Sequence, residues 1–388
     1  MVSKVKNMID YVKRQRFSFV QEPFNEIDSM ILTELVYCHF NEVTVSNRLG
    51  DMPLDNDFLE KLTAGVWGAD DLKKLWQGLV KNPRYQDISW ESVVNKIDAK
   101  TEMQFGAITF EFMPKHYYVA YRGTTATTVG WKENFNMSFE DIVPAQFFAR
   151  KYFRNRLNYF PGKYYLGGHS KGGNLAFFVT ITANNKERES IVRADSFDGP
   201  GFHHQKQRYD KRILALKDIL HKFIPEGSIV GTLMDDLVAD RDICQIINSR
   251  GIGPTQHNMF NWEVVNNHFI FVDELISPSQ IAQKAVEQIM QTTNDQERRE
   301  FITTLYNAIN VYDDIYIKNM FKPKAAKEVA NSLLEHRKQD AKVWQPVIDK
   351  IVDASLDSSK NVMNAKKAEY LNSLQNLLDN FSDKYFSK

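Results

Sequence analysis

Residues 164–176 read Tyr-Tyr-Leu-Gly-Gly-His-Ser-Lys-Gly-Gly-Asn-Leu-Ala and contain a Gly-x-Ser-x-Gly pentapeptide. An apolar, aromatic run precedes the pentapeptide, and a run compatible with a helix follows it. A strand, a sharp turn and a helix in this order are the setting of a nucleophilic serine, here Ser170. Gly168 and Gly172 leave the room that such a strained turn needs. We expect the hydroxyl to project above the sheet, beside a helix N-terminus that favours developing negative charge.

A glycine-rich turn between a strand and a helix can also bind a phosphate group. The sequence contains no Gly-x-x-x-x-Gly-Lys-Ser/Thr motif, and no Gly-x-Gly-x-x-Gly follows a predicted strand. The pentapeptide alone leaves catalysis and phosphate binding open. A hydrolase would also need a base, an acid and an oxyanion hole from the rest of the chain.

The composition is that of an ordinary globular protein. The 388 residues suffice for one large α/β domain with a helical appendage, or for two domains. Basic and acidic residues both number 49, so the charge gives no argument for nucleic acid or an anionic membrane surface. The two cysteines, Cys38 and Cys244, imply no disulfide framework. No secretory leader or transmembrane stretch is recognisable, so we expect a cytoplasmic protein.

Strand and helix patterns alternate along the middle of the chain, which predicts an α/β-hydrolase fold, a mostly parallel sheet flanked by helices. Beyond the sheet the pattern is purely helical. We predict an N-terminal helical segment packing on the core (1–95), an α/β-hydrolase core (96–275) and a C-terminal all-helical appendage (276–388). The predicted strands cover residues 106–112, 117–121, 191–197 and 242–248. The predicted helices cover residues 24–40, 147–160, 213–220, 281–290, 298–309, 325–336 and 363–381.

The base should be a histidine that follows a late strand. In α/β-hydrolases the nucleophile comes first along the chain, the acid next and the histidine last. His257 follows the strand at 242–248 and a glycine-rich loop, so it has that order and that location. His268 and His221 are the alternatives. His169 should point away from the neighbouring hydroxyl on the strained turn, and we interpret it as structural.

Two carboxylates compete for the role of the acid, which must fix the tautomer of the imidazole. Asp198 ends an apolar strand and precedes Gly-Pro-Gly, which places it above the sheet one strand beyond the serine. Glu226 follows the next strand. We favour Asp198 and keep Glu226 as the alternative acid.

The oxyanion hole needs two backbone N–H groups. The residue after the nucleophile, Lys171, should supply one of them. The other should come from the loop after an earlier strand. Thr124 follows the strand at 117–121 directly and is the natural donor.

Two of these motifs resemble those of known hydrolases. Residues 119–124, Val-Ala-Tyr-Arg-Gly-Thr, are similar to the Phe-Arg-Gly-Thr strand end of the class three (fungal-type triacylglycerol) lipases. Residues 168–173, Gly-His-Ser-Lys-Gly-Gly, are similar to their Gly-His-Ser-Leu-Gly-Gly elbow. The resemblance implies an α/β-hydrolase fold and an esterase or lipase chemistry.

The chain resembles more closely a bacterial family of α/β-hydrolase-fold proteins known only as a domain of unknown function. Three further motifs carry this resemblance: Gly-Trp-Lys-Glu at 130–133, Ser-Phe-Asp-Gly-Pro-Gly-Phe at 196–202 and Gln-His at 256–257. It spans roughly residues 24–275. The helical residues beyond it carry no motif of their own.

The resemblance carries the roles over by position. The lipase nucleophile falls on Ser170, the base on His257 and the first oxyanion donor on Thr124. The acid of fungal-type lipases falls near Glu226, whereas a Leu-Asp-Pro run of pancreatic-type lipases matches Asp198. The resemblance therefore leaves the choice of acid open.

The chain departs from the family patterns near the predicted oxyanion loop. Members of the bacterial family often carry aspartate where this chain has Thr125 and Asn134. Lys171 stands where the lipases have an apolar residue. Its backbone N–H serves equally, and its side chain either brings a cation close to the site or forms a local salt bridge.

These features predict a serine hydrolase that cleaves a carboxylic ester through an acyl-enzyme on Ser170, with His257 as base and Asp198 as acid. No metal or cofactor is expected. The expected substrate is a small-molecule or lipid ester. The sequence leaves peripheral contact with a membrane and the oligomeric state open. Two alternatives stay open: an acyltransferase using the same residues, and a non-catalytic hydrolase-fold protein that binds a ligand or a partner.

Overall fold

The computed structural model describes residues 7–43, 46–125, 127–202, 205–234, 237–251 and 253–309. The strands are β1 (Ser89–Asp98), β2 (Met103–Met113), β3 (His116–Tyr121), β4 (Lys163–His169), β5 (Ile191–Phe197), β6 (Leu220–Pro225), β7 (Cys244–Ile247), β8 (Val264–Val265), β9 (His268–Phe269) and β10 (Phe271–Val272). The helices are α1 (Met8–Arg14), α2 (Glu26–Leu35), α3 (Phe40–Val43), α4 (Asn56–Leu62), α5 (Ala69–Val80), α6 (Thr128–Asn136), α7 (Pro144–Tyr159), α8 (Lys171–Thr182), α9 (Asn185–Arg188), α10 (Gln205–Ala215), α11 (Ser277–Thr292) and α12 (Asp295–Ile309).

One eight-stranded sheet organises the protein, with strand order β1-β2-β3-β4-β5-β6-β7-β10. Strands β3 to β7 run parallel, and the antiparallel hairpin β2–β3 and strand β1 extend one edge. Strand β10 adds an antiparallel strand at the other edge. This mostly parallel sheet flanked by helices confirms the predicted α/β-hydrolase fold.

The sheet separates two apolar cores. Side chains alternate between its faces, so Ile108 and Ala120 join one core while Ala107 and Tyr121 join the other. The first core also contains the N-terminal helices α1, α2 and α5. The second contains apolar side chains of α7 and α8. The sheet is thus covered on both faces, as buried parallel strands require.

Helix α2 is stabilised by a capping box at its N-terminus and by a buried ion pair. The Asn25 side chain accepts hydrogen bonds from the first turn, and Asp28 accepts one from the Asn25 N–H, which completes a capping box. Asp28 also pairs with Arg84 at 2.6 Å, and both side chains are fully buried. The helix packs on β3, β4 and β5, so the residues after it reach the carboxyl edge of the parallel strands.

The structure corrects several local predictions. Strand β1 lies partly within the segment 1–95, which was predicted as helical. The helix predicted at 213–220 is α10, which ends at Ala215, and Leu220 already begins β6. His268 lies in β9.

The C-terminal helices begin where the strand pattern ends. Helix α12 packs on α6, with the Lys132 ammonium 4.3 Å from the centre of the Tyr306 ring and the Arg299 guanidinium 4.7 Å from the centre of the Phe139 ring. The helices predicted at 325–336 and 363–381 lie outside the described residues. Among the helices described, none is both long and apolar enough to cross a bilayer.

Candidate active site

Ser170 lies at the turn between β4 and α8, at the carboxyl edge of the sheet. Its backbone has φ 57° and ψ −130°, a region that non-glycine residues rarely adopt. A Cβ on Gly168 would lie 2.2 Å from the backbone of Gly172, and one on Gly172 would lie 2.1 Å from the Tyr121 carbonyl oxygen. The two glycines are therefore required where the turn folds onto itself and onto the end of β3.

His257 and Asp198 are in direct contact. The imidazole Nδ1 lies 2.6 Å from Asp198 Oδ2, and Asp198 is 1% exposed. A carboxylate can only accept, so the proton of the neutral imidazole lies on Nδ1. Nε2 has no partner within the described part of the chain and is left as an acceptor. This is the tautomer that a general base needs.

The surroundings of Asp198 keep its carboxylate ionised. Burial raises the pKa of this carboxyl, but hydrogen bonds from His257 and Ser228 outweigh burial, so the pKa lies below its ordinary value. The Ser228 hydroxyl donates to Oδ1 at 2.5 Å, and the Gly231 N–H donates to the same atom at 3.1 Å. Asp198 itself has φ 49°, so a strained turn directs the carboxylate towards His257.

A buried lysine supports the loop that follows Asp198. The Lys222 ammonium donates to the carbonyl oxygens of Gly199 at 2.8 Å and of Gly231 at 2.7 Å. Burial lowers its pKa to about 8, although Cys244 and Asp198 act in the opposite direction. Lys222 thus ties the turn after β5 to the loop that donates to the Asp198 carboxylate.

His169 links the serine turn to the loop that carries His257. Its Nε2 lies 2.8 Å from the His257 carbonyl oxygen, and the centres of the two rings are 4.4 Å apart. Nε2–H must donate to that carbonyl, because a carbonyl oxygen only accepts. His257 is therefore held beside the residue that precedes Ser170. The Ser170 hydroxyl has no hydrogen-bond partner among the described residues.

Tyr37 extends this connection to the loop after β3. Its hydroxyl oxygen lies 3.2 Å from His169 Nδ1, and it accepts from the Gly123 N–H at 3.2 Å. Since His169 Nε2 carries the proton, Nδ1 accepts from the tyrosine. One hydroxyl of the N-terminal layer thus joins the Arg-Gly-Thr loop to the serine turn.

The two predicted oxyanion donors lie at the ends of neighbouring strands. Thr124 is half-buried after β3, and its hydroxyl donates to Asn134 Oδ1 at 2.7 Å. Lys171 begins α8, where the first N–H groups of a helix have no intrahelical acceptor. No protein acceptor for either amide lies among the described residues. Both are therefore available to a ligand.

The Lys171 side chain points away from solvent into a buried ion pair. Its ammonium lies 2.5 Å from Glu133 Oε2, and the two side chains are 1% and 0% exposed. It also donates to the Gln104 carbonyl oxygen at 2.7 Å. Burial lowers the Lys171 pKa and Glu133 opposes that shift. The pair joins α8 to α6, the helix that follows the Thr124 loop.

The remaining candidates lie away from this cluster. Glu226 is half-buried, and its side chain makes no hydrogen bond to His257. Burial and the nearby Glu263 raise its pKa. His221 lies in β6, and the exposed His268 pairs with Glu26 at 2.7 Å. Within the described ranges, no three histidine, cysteine, aspartate or glutamate side chains cluster in a way that could hold a metal ion.

Sequence reasoning missed Tyr37 and Glu133. The Gly-Trp-Lys-Glu motif pointed to the region of Glu133, but no pattern connects it to Lys171, which lies 38 positions away. Tyr37 follows an amphipathic helix and belongs to no motif. Both act through contacts between segments that are distant in sequence.

Acid should weaken the fold through His169. Burial lowers the His169 pKa from 6.5 to about 3, so between these values the unfolded chain binds a proton that the folded protein excludes. Stability should fall as the pH drops from 6.5 towards 3, by about 1.4 kcal/mol per pH unit from this group. Asp198 contributes to stability over a lower pH range. Its stabilising contribution is fully present above its unfolded pKa of 3.8, and it is lost as the pH falls through its lowered folded pKa.

Urea unfolding between pH 4 and 7 measures this effect. The His169→Gln variant should show a shallower dependence on pH than the wild type. His116→Gln, at the turn between β2 and β3, is the matched control and should keep the wild-type slope. Equal slopes for the wild type and His169→Gln would contradict the assignment.

The part of the chain that matches a known family contains Ser170, Asp198 and His257. Residues 79–307 match the family model Mbeg1-like. The solved structure of M37 lipase is 16% identical with a TM-score of 0.32, over 54% of this chain and 69% of that chain. Lip2 lipase from Yarrowia lipolytica is 11% identical with a TM-score of 0.33, over 61% of this chain and 83% of that chain. Among curated proteins none matches. The fold assignment rests on the strand order itself.

Proposed function

The chain belongs to the Mbeg1-like family, and on that premise we propose that it is a serine hydrolase that cleaves a carboxylic ester. The observation that carries this proposal is the 2.6 Å contact between His257 and the buried Asp198, beside the strained Ser170 turn. Acyl transfer requires a nucleophile, an acid and a base, and nucleophile, acid and histidine follow one another along this chain in the order typical of α/β-hydrolases.

The reaction follows from the roles of these groups. The Ser170 oxygen attacks the ester carbonyl carbon while His257 Nε2 takes the hydroxyl proton. The N–H groups of Thr124 and Lys171 stabilise the negative charge on the carbonyl oxygen. The proton passes from His257 to the departing alcohol, which leaves an acyl-enzyme on Ser170. Water, activated by the same imidazole, then releases the carboxylic acid.

Asp198 and His169 orient His257 before the substrate binds. Asp198 keeps the proton of the neutral imidazole on Nδ1 and stabilises the cation that forms when Nε2 is protonated. His169 and Tyr37 hold the loops on either side of the nucleophile. We propose small-molecule or lipid esters as the substrate class.

Covalent labelling with a fluorophosphonate probe tests this function. The wild type should be labelled on Ser170, detected by mass spectrometry of the peptide that contains it. Ser170→Ala should lose the label, together with at least about 10³-fold of its activity on p-nitrophenyl esters. Ser277→Ala, which changes an exposed serine of α11, is the control and should be labelled normally. An unlabelled wild type, under conditions that label a known esterase, would refute the acyl-enzyme.

A further inference from the structure

The side chain of Arg122, the residue after β3, crosses β2 and reaches β1. Its backbone N–H donates to the Gly106 carbonyl oxygen at 2.9 Å, and Asn95 is the partner of Gly106 in the β1–β2 register. A Cβ on Gly106 would lie 2.7 Å from Arg122 Nε. The missing side chain thus lets the guanidinium lie across β2, where Nη2 donates to Asn95 Oδ1 at 2.6 Å.

The guanidinium has no counter-charge among the described residues. Arg122 is 8% exposed, its Nε has no partner, and no carboxylate there forms an ion pair with it. Among the residues that the structure describes, the only group to which its side chain donates is the neutral amide of Asn95. Buried charges in proteins are normally paired, because removing them from water is costly.

Nearby charged groups do not correct this imbalance. Lys171 is a second buried cation whose pKa is lowered first by burial and also by Arg122, and Glu133 is already paired with that lysine. Glu34 is the other buried carboxyl group near Tyr37, and burial raises its pKa to about 8, which favours its uncharged form at neutral pH. The region therefore holds two buried cations, one paired carboxylate and one carboxyl group whose pKa is raised by burial.

A cavity of about 30 Å³ lies against Arg122. Its inner wall includes Cys38 and Phe40. Its mouth includes the exposed residues Asn41, Glu42 and Asn95. The volume suffices for one small ion or two water molecules, and the mouth opens to solvent.

We propose that this cavity, the Arg122 pocket, binds a small monovalent anion, either chloride or the carboxylate of a short organic acid. The unpaired Nε of Arg122 would donate to the anion, and Asn95 would hold the other side of the guanidinium. This inference is independent of the catalytic proposal. Because Gly123 follows Arg122 directly, the anion would also stabilise the loop that leads to Thr124.

Among the described residues that line the Arg122 pocket, Glu42 is the one carboxylate that could pair with Arg122 in place of an anion. It lines the mouth of the Arg122 pocket, but its carboxylate is exposed and lies 3.6 Å from His39 Nδ1. If it were instead the partner of Arg122, the wild type would not respond to anions. The Glu42→Gln variant would then gain a response.

Thermal unfolding of the full chain tests the proposal. Sodium chloride or sodium formate replaces sodium gluconate, which is too large for the cavity, at constant ionic strength. The wild-type Tm should rise by about 2–4 °C for each tenfold increase in the anion above its dissociation constant. A rise in Tm with formate alone would indicate that the ligand is a carboxylate. A rise with both salts would show that chloride also binds.

The Asn95→Asp variant provides the decisive comparison. Its carboxylate would occupy the position 2.6 Å from Arg122 Nη2, so its Tm without anion should exceed that of the wild type and its response should largely disappear. Asn158→Asp, at an exposed position of α7, should respond as the wild type does. Arg122→Gln should also lose the response, but Asn95→Asp decides if that variant does not fold. A flat wild-type Tm, an undiminished response in Asn95→Asp, or a response gained only in Glu42→Gln would overturn the proposal.

Discussion

Replacing Asp198 by asparagine is expected to lower kcat/KM for ester hydrolysis about 10⁴-fold while the chain still folds. The asparagine carbonyl can take the place of Oδ1, which accepts from Ser228 and from the Gly231 N–H. Its NH₂ group then faces His257 Nδ1 and donates to it. The imidazole proton moves to Nε2, and the ring can no longer take a proton from Ser170.

The control is Glu226→Gln, because Glu226 is the other acid that the sequence left open. Its side chain is half-buried and makes no hydrogen bond to His257, so activity should stay within about twofold of the wild type. Steady-state kinetics on p-nitrophenyl esters compares the two variants, and circular dichroism checks their folding. If Glu226→Gln lost activity and Asp198→Asn kept wild-type activity, the acid would be Glu226 and not Asp198.

Replacing Glu133 by glutamine is expected to lower the free energy of unfolding by about 3–5 kcal/mol. This is the usual cost of removing one partner of a buried ion pair, because the other charge is then buried without a counter-charge. Glu133 Oε2 accepts from Lys171 and from the Gln104 N–H, while Oε1 accepts from the Ala145 N–H. Glutamine replaces one of these oxygens by a donor. A donor would then face either the ammonium and the Gln104 N–H, or the Ala145 N–H.

Two further variants make this test specific. Lys171→Met should cost less than Glu133→Gln, because the carboxylate keeps two backbone N–H donors whereas the ammonium keeps only the Gln104 carbonyl. Asp57→Asn breaks the exposed pair with Lys61 and should leave the free energy of unfolding nearly unchanged. Denaturant unfolding measures all three. A loss in Glu133→Gln as small as that in Asp57→Asn would show that the pair does not stabilise the fold.

Local sequence patterns predicted much of this fold. The strand, glycine turn and helix around Ser170 form a continuous segment, so their order can be read from neighbouring residues. The apolar strand that ends at Asp198 can be read in the same way. Strand β1 was missed because its register shifts between Glu91 and Val94, and its residues are mostly half-buried or exposed at the sheet edge. A strand of that kind has no regular alternation to detect.

The contacts between distant segments could not be predicted. The choice between Asp198 and Glu226 depends on the positive φ of Asp198 and on donors 30 and 33 positions later. The sequence left open whether Lys171 forms a local ion pair, and its partner on α6 depends on how two helices pack. Side-chain direction at such places is set by tertiary packing rather than by local propensity.

Tyr37 also has a consequence for how this protein can be divided. The match to the family begins at residue 79, yet the hydroxyl that bridges Gly123 and His169 comes from far upstream of it. A fragment cut at that boundary would retain Ser170, Asp198 and His257 but would expose part of one apolar face of the sheet to water, because α1, α2 and α5 pack on that face. It would also remove the hydrogen bond that Tyr37 accepts from Gly123 in the loop before Thr124. We infer that the segment shared across the family is smaller than the unit that must be inherited together for the site to work.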